Sequence, residues 1–305
     1  MGKTAFIFPG QGSQYVGMGK EFCEQYPEAK AVYDAAKEAT GLDVAALCFE
    51  ENDQLNQTEY TQIAMFTTEV AILKVVEKLG FKADMTAGLS LGEYAALAAA
   101  NVLPVSELCG LVRKRGLYMQ EAYPTGGAMA AVIALDTKVT EEICAQIDGV
   151  VGIANYNCPG QLVISGEEAA VNAAMEKLKE AGAKRCIPLK VSGPFHSPLL
   201  KKAADQLAGE LEGLSLNDPS IPYYSNVDAT LVTDKTPIKD LLPRQVISSV
   251  RFQQSIEKMI EDGVDTFIEI GPGKTLTGFL GRINKEVKAI NIDKIEDLAK
   301  LEELK

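Results

Sequence analysis

Ser90 stands in Gly88-Leu-Ser-Leu-Gly92, which fits the pattern G-x-S-x-G. That spacing suits a serine nucleophile on a sharp strand-to-helix turn, because two glycines let a tight backbone pass close to its neighbours. The flanks fit: residues 84–89 form a short lead-in, and 93–100 (Glu-Tyr-Ala-Ala-Leu-Ala-Ala-Ala) form a strong helix. Ser90 then sits at a helix N-terminus, where free N–H groups and the dipole favour negative charge. The chemistry would be acyl transfer or hydrolysis through an acyl-serine. A helix-capping serine is the plainer reading. A serine hydroxyl is a weak nucleophile at neutral pH and needs a base within reach. The chain has one histidine, so an imidazole base can only be His196.

A third candidate comes from periodicity. Pro104 opens a helix running to about residue 122, in which Leu108, Leu111, Val112, Arg115 and Met119 share one face. Arg115 therefore lies on an apolar stripe, while Arg113 and Lys114 point elsewhere. A buried guanidinium needs an anion or a structural partner. Beside a nucleophile, the anion could be a substrate carboxylate, which Arg grips through two parallel hydrogen bonds. A structural salt bridge or a snorkelling side chain is the competing reading.

The elements that must carry these residues alternate between strands and helices. Residues 4–8 read as a buried strand, followed by the breaker-rich loop Pro9-Gly-Gln-Gly-Ser-Gln14 and a helix near 19–26. This loop is not a dinucleotide fingerprint, because the third glycine position holds Tyr15. Gly271-Pro-Gly-Lys-Thr275 is not a phosphate-binding loop either, since the required first glycine falls on Ile268. A long helix over 60–79 ends at Gly80. Residues 128–191 carry a pattern of their own: strand 129–135, helix 139–147, strands 151–155 and 161–165, helix 167–181 and strand 184–191. That β-α-β-β-α-β order is the ferredoxin-like arrangement. Ser192-Gly-Pro-Phe-His-Ser-Pro198 then returns to the larger unit, followed by a helix to about 212. Strands at 221–225, 266–270 and 287–292 with helices between them, and a charged amphipathic helix over 294–305, complete the chain. The expected fold is α/β: an α/β-hydrolase-like large domain with a mostly parallel sheet over 1–125 and 195–305, and an inserted ferredoxin-like small domain over 126–194.

The 305 residues suffice for about two domains with ample core. The net charge of -12 argues against a nucleic-acid partner, although anionic substrates need only local positive charge. No apolar run is long enough to span a membrane, and the N-terminus lacks a signal-peptide layout. The six cysteines form no C-x-x-C pair and read as reduced, mostly buried thiols of a cytoplasmic protein.

Four stretches together resemble the motifs of the malonyl-CoA:acyl carrier protein transacylases, which load malonyl groups for fatty acid synthesis. They are Phe8-Pro-Gly-Gln-Gly-Ser-Gln14, Gly88-Leu-Ser-Leu-Gly-Glu93, Gly193-Pro-Phe-His-Ser197 and Glu269-Ile-Gly-Pro-Gly-Lys274, with Arg115 between the second and third. The resemblance covers essentially the whole chain. It implies Ser90 as nucleophile, His196 as base and Arg115 as the holder of the malonyl carboxylate. The backbone N–H groups of Gln11 and Leu91 would form the oxyanion hole. Gln245 would lie close to the histidine, with a backbone carbonyl there orienting the imidazole. Asn155 would lie near the cleft, and the segment around Phe195 resembles the form that goes with malonyl over bulkier branched groups. Malonyl-CoA and acyl carrier protein would be the partners, with no nucleic acid or membrane, and the enzyme would be a monomer. No metal or cofactor is expected, because CoA and phosphopantetheine arrive as parts of the substrates. Leu89 departs from the family, which usually has histidine there (G-H-S-x-G); a modest change in rate or acyl-serine lifetime is expected. A serine hydrolase and a non-catalytic carrier- or CoA-binding module are the competing classes.

Overall fold

Strand β1 (Lys3–Phe8) is buried over its last four residues, as its unbroken apolar run requires. The computed structural model describes residues 2–191 and 193–304; Ser192, in the return to His196, lies outside the described residues. After β1 come α1 (Lys20–Gln25), α2 (Pro27–Thr40), α3 (Val44–Phe49) and α4 (Thr58–Lys78). Asp43 caps α3 by accepting the Ala46 N–H. Helix α4 is apolar around most of its circumference and forms the centre of the main core. Strand β2 (Met85–Gly88), helix α5 (Gly92–Ala99) and helix α6 (Val105–Ala122) follow. Strand β2 pairs in parallel with β1, and Phe8 lies opposite Gly88. The loops that leave these strands, 9–19 and 89–91, therefore emerge side by side at the carboxyl end of the sheet. That is where open α/β sheets bind ligands.

The next elements form a second sheet: β3 (Gly127–Ile133), α7 (Thr137–Ala145), β4 (Val151–Cys158), β5 (Gln161–Glu167), α8 (Glu168–Glu180) and β6 (Arg185–Pro188). The four strands are antiparallel in the order β4-β5-β3-β6. One face of the sheet packs its own core under α7 and α8. The other face lends Met129, Ala154 and Val163 to the main core. The outer strand β4 is tied to the large unit: the Tyr156 N–H donates to the Val250 carbonyl at 2.9 Å, and the Val250 N–H donates to the Ala154 carbonyl at 2.8 Å.

A 3₁₀ turn (Pro198–Leu200) leads into α9 (Lys201–Glu212), β7 (Tyr223–Tyr224), β8 (Leu231–Val232), α10 (Ile238–Ile247), α11 (Phe252–Glu261), β9 (Val264–Ile270), α12 (Thr275–Ile283) and β10 (Lys288–Ile292). The large sheet runs β10-β9-β1-β2-β7-β8, parallel except for the antiparallel edge strand β8. The tail differs from the expected amphipathic helix: Ile295–Leu304 is 3₁₀. Ile295, Leu298, Leu301 and Leu304, spaced by three, all pack on the main core, and a three-residue repeat lines up along a 3₁₀ helix where an α-helix would rotate it away.

Candidate active site

Ser90 sits between β2 and α5 with φ 55°, a left-handed backbone uncommon for a residue with a side chain. The turn is that tight because strand and helix nearly touch. A Cβ on Gly92 would lie 2.2 Å from the Phe8 carbonyl oxygen, and one on Gly88 would lie 2.0 Å from the Gly92 carbonyl carbon. The turn brings Ser90 Oγ within 2.7 Å of His196 Nε2. His196 also has a positive φ, 58°. Its Nδ1 lies 2.8 Å from the backbone carbonyl of Gln245, and a carbonyl only accepts, so Nδ1 carries the proton and Nε2 is left as acceptor. Burial, with the Arg115 charge second, pushes the imidazole down from its usual 6.5 to about 4. It is therefore neutral at pH 7 and ready to take the serine proton.

Arg115 is buried on α6, as the apolar stripe predicts. One terminal nitrogen donates to Gln62 Oε1 at 2.6 Å; the other donates to Gln245 Oε1 at 2.8 Å and Ser90 Oγ at 3.3 Å. The guanidinium also stacks over the Tyr94 ring, 5.1 Å from its centroid. Burial lowers its pKa, but a guanidinium stays protonated in proteins. These three acceptors are all neutral, so the positive charge remains available to an incoming anion. Arg113 and Lys114 point away: Arg113 pairs with Glu59 at 2.7 Å and Lys114 with Glu210 at 2.6 Å.

Seven predicted site residues line one cavity: Gln11, Ser90, Leu91, Arg115, Asn155, Phe195 and His196. Gln245 is the eighth and lies behind the others, touching both His196 and Arg115. Among the described residues, the loop and turn hydrogen bonds spend neither the Gln11 nor the Leu91 backbone N–H. Leu89, where the family usually has histidine, also lines the cavity. A larger cleft of about 630 Å³ opens on the other side of His196, between Ser165 of β5 and Arg251. The loop 271–274 is not free to cradle phosphate: the Glu269 carboxylate accepts the Leu276 and Thr277 N–H groups at 3.0 and 2.7 Å and so occupies the N-terminus of α12.

Three contributors were not singled out by the sequence reading. Gln62 holds Arg115; Glu93, fully buried, accepts Gln245 Nε2 at 2.5 Å; Asn226 bonds the Ser90 backbone. In the sequence, Glu93 looks like an ordinary acid in a first helical turn and Asn226 like a turn residue.

The family model for the acyl transferase domain matches residues 5–298. The malonyl CoA-acyl carrier protein transacylase of Bacillus subtilis (strain 168) is 46% identical over 303 residues, 98% of this chain and 96% of that protein. The crystal structure of malonyl CoA-acyl carrier protein transacylase from Clostridium perfringens superposes with a TM-score of 0.96 at 46% identity, covering 99% of this chain and 97% of the other. A malonyl-transacylase solved in complex with its holo type II PKS acyl-carrier protein gives a TM-score of 0.96 at 39% identity, over 99% and 100% of the two chains.

Proposed function

The chain belongs to the acyl transferase domain family, alongside the malonyl CoA-acyl carrier protein transacylases, and we propose that it moves a malonyl group from malonyl-CoA to the phosphopantetheine thiol of an acyl carrier protein in fatty acid biosynthesis. The observation that carries the substrate is Arg115: a buried cation bonded to neutral oxygens, 3.3 Å from Ser90 Oγ. A carboxylate two carbons from a thioester carbonyl can reach that cation while the carbonyl lies against Ser90. An acetyl group would leave the cation unpaired.

His196 Nε2 takes the Ser90 proton as Oγ attacks the thioester carbonyl. The Gln11 and Leu91 N–H groups hold the oxyanion; losing one such donor costs about 10²–10³ in rate. The imidazolium returns its proton to the CoA sulfur as the C–S bond breaks, leaving malonyl-Ser90. The pantetheine thiol then attacks by the reverse route, so the kinetics are ping-pong. The Gln245 carbonyl fixes the histidine tautomer, a role a carboxylate fills in most serine hydrolases. Asn155 and Phe195 shape the cavity around the acyl group.

We read 1–125 and 195–305 as an α/β-hydrolase-like catalytic domain and 126–194 as an inserted ferredoxin-like domain. The strand order of the two sheets supports this division. The enzyme acts as a monomer in this reading, because one chain supplies every group named. No resident cofactor or metal enters the scheme. No helix among the described residues is long and apolar enough to cross a membrane. All six cysteines are free thiols, which supports the reading of a cytoplasmic setting.

The test is intact-protein mass after mixing with malonyl-CoA alone. One malonyl adduct on the wild type and none on Ser90→Ala is the expected result. CoA release with no adduct would replace transfer with hydrolysis.

A further inference from the structure

Asn226 lies in the loop between β7 and β8 and is 1% exposed. Its side-chain amide spans the nucleophile turn. Oδ1 accepts the Ser90 N–H at 2.6 Å, and Nδ2 donates to the Gly88 carbonyl at 2.6 Å. An N–H only donates and a carbonyl only accepts, so the amide orientation is fixed by its partners. The clasp is itself anchored on both sides. The Asn226 N–H donates to Glu93 Oε2 at 3.3 Å, and the Asn226 carbonyl accepts the Arg251 N–H at 2.9 Å. These contacts matter because Ser90 rests at φ 55°, where a side-chain-bearing residue persists only if its surroundings over-determine it. They also spend the Ser90 N–H, leaving the Gln11 and Leu91 N–H groups to receive an oxyanion.

We propose that Asn226 is a positioning residue: its amide clasps the Gly88 carbonyl and the Ser90 N–H, and so holds Ser90 Oγ on His196 for attack. The inference rests on Ser90 being the acylated residue. Asn226 lies behind the turn and does not line the cavity. Its Oδ1 also accepts a long contact from Gln245 Nε2 at 3.5 Å, but that nitrogen keeps the Ser90 carbonyl at 2.9 Å and Glu93 at 2.5 Å, so Gln245 stays in place and the grip of Arg115 on the acyl group holds. Misplacing a reacting atom by about 1 Å costs on the order of 100-fold in rate.

The experiment compares wild type, Asn226→Ala and Asn226→Asp. It measures the rate of malonyl-Ser90 formation by intact mass, per folded molecule, from about pH 6 to about pH 8. Asn226→Ala is expected to acylate roughly 10- to 100-fold more slowly. Its KM for malonyl-CoA and its malonyl-to-acetyl ratio should stay within about twofold, because ground-state binding is untouched. Asn226→Asp carries the sharper readout and keeps the test alive if the alanine variant does not fold. Ionised, its second oxygen faces the Gly88 carbonyl and repels it. Protonated, the carboxyl donates to Gly88 and accepts from Ser90 as the amide does. Its rate relative to wild type should therefore rise as pH falls. A residue that only stabilises the fold would change the folded fraction and leave the rate per folded molecule, and its pH trend, unchanged. Both variants acylating within about twofold of wild type at every pH would overturn the proposal. A wild type that forms no adduct would instead overturn the functional reading on which it rests.

Discussion

In the proposed scheme the Arg115 guanidinium chooses the acyl group and sets the basicity of the histidine. It lies 3.3 Å from Ser90 Oγ, and its charge is the second cause, after burial, of the depressed His196 pKa. Arg115→Ala should then have two effects that no purely structural arginine would couple. Transfer of malonyl should fall by roughly 10³-fold or more while acetyl transfer holds or rises, because a site built to bind a carboxylate loses its partner. The acid limb of kcat/KM should also move. Protonation of His196 removes the base, so activity falls as pH drops through the imidazole pKa, about 4 in the wild type. Removing a nearby cation raises that pKa, so the limb shifts to higher pH. Rate profiles with both donors measure the two effects together; an unchanged malonyl-to-acetyl ratio would make Arg115 structural. These three side chains were legible because each carries a local signal: a turn motif, a unique histidine and a charge on an apolar stripe. The roles of Gln62, Glu93 and Asn226 were not. Their contacts join positions 53, 152 and 136 residues apart, and no short window of sequence contains such a pair.

At the scale of elements, the site depends on how closely α5 crosses the ends of β1 and β2. The Gly92 position that faces the Phe8 carbonyl has no room for a methyl group. Gly92→Ala must push α5 away from β1, whose following loop carries Gln11. Overpacking of this kind costs about 1–3 kcal/mol, and moving the proposed oxyanion donors should lower the rate by roughly 10²-fold in the molecules that still fold. Thermal melting and acylation rate on one preparation separate the two losses; a variant matching wild type in both would show that the crossing can relax. Some elements were legible from their period, but length was no guarantee: α2, 14 residues behind Pro27, was not read. The helix read over 60–79 is α4, and the stripe through Arg115 is α6. Short elements escaped. Strand β8 has two residues, and the strand read over 184–191 keeps only Arg185–Pro188. A strand of that length is held by its sheet neighbours, so its limits are a tertiary property. The 3₁₀ tail shows the same thing for helices: its amphipathic pattern is present, but the residues that dock on the core, Ile295, Leu298, Leu301 and Leu304, repeat every three and so select 3₁₀ geometry.

For the molecule as a whole, the central helix carries an oddity that bears on stability and not on catalysis. Glu69 of α4 is fully buried, and neither carboxylate oxygen has a hydrogen-bond partner among the described residues. Burial first, and the charge of Glu269 second, raise its pKa well above the ordinary carboxylate value. The folded protein therefore keeps this proton at pH values where the unfolded chain, titrating at about 4.3, has lost it. Where the folded state binds more protons, stability falls as pH rises. The contribution of Glu69 is fully present below the unfolded pKa and is lost progressively as pH climbs towards the folded value, at up to about 1.4 kcal/mol per pH unit. Glu69→Gln keeps the shape and removes the titration. Its melting temperature relative to wild type should rise between about pH 5 and about pH 8, by a few degrees for each kcal/mol recovered. Malonyl-Ser90 formation per folded molecule should stay at the wild-type rate, because Glu69 does not line the cavity. A melting-temperature difference that is flat across this range would mean that Glu69 finds, in solution, a partner or a water that holds its charge. The main core would then be wetter beneath the Pro9 loop than its packing indicates.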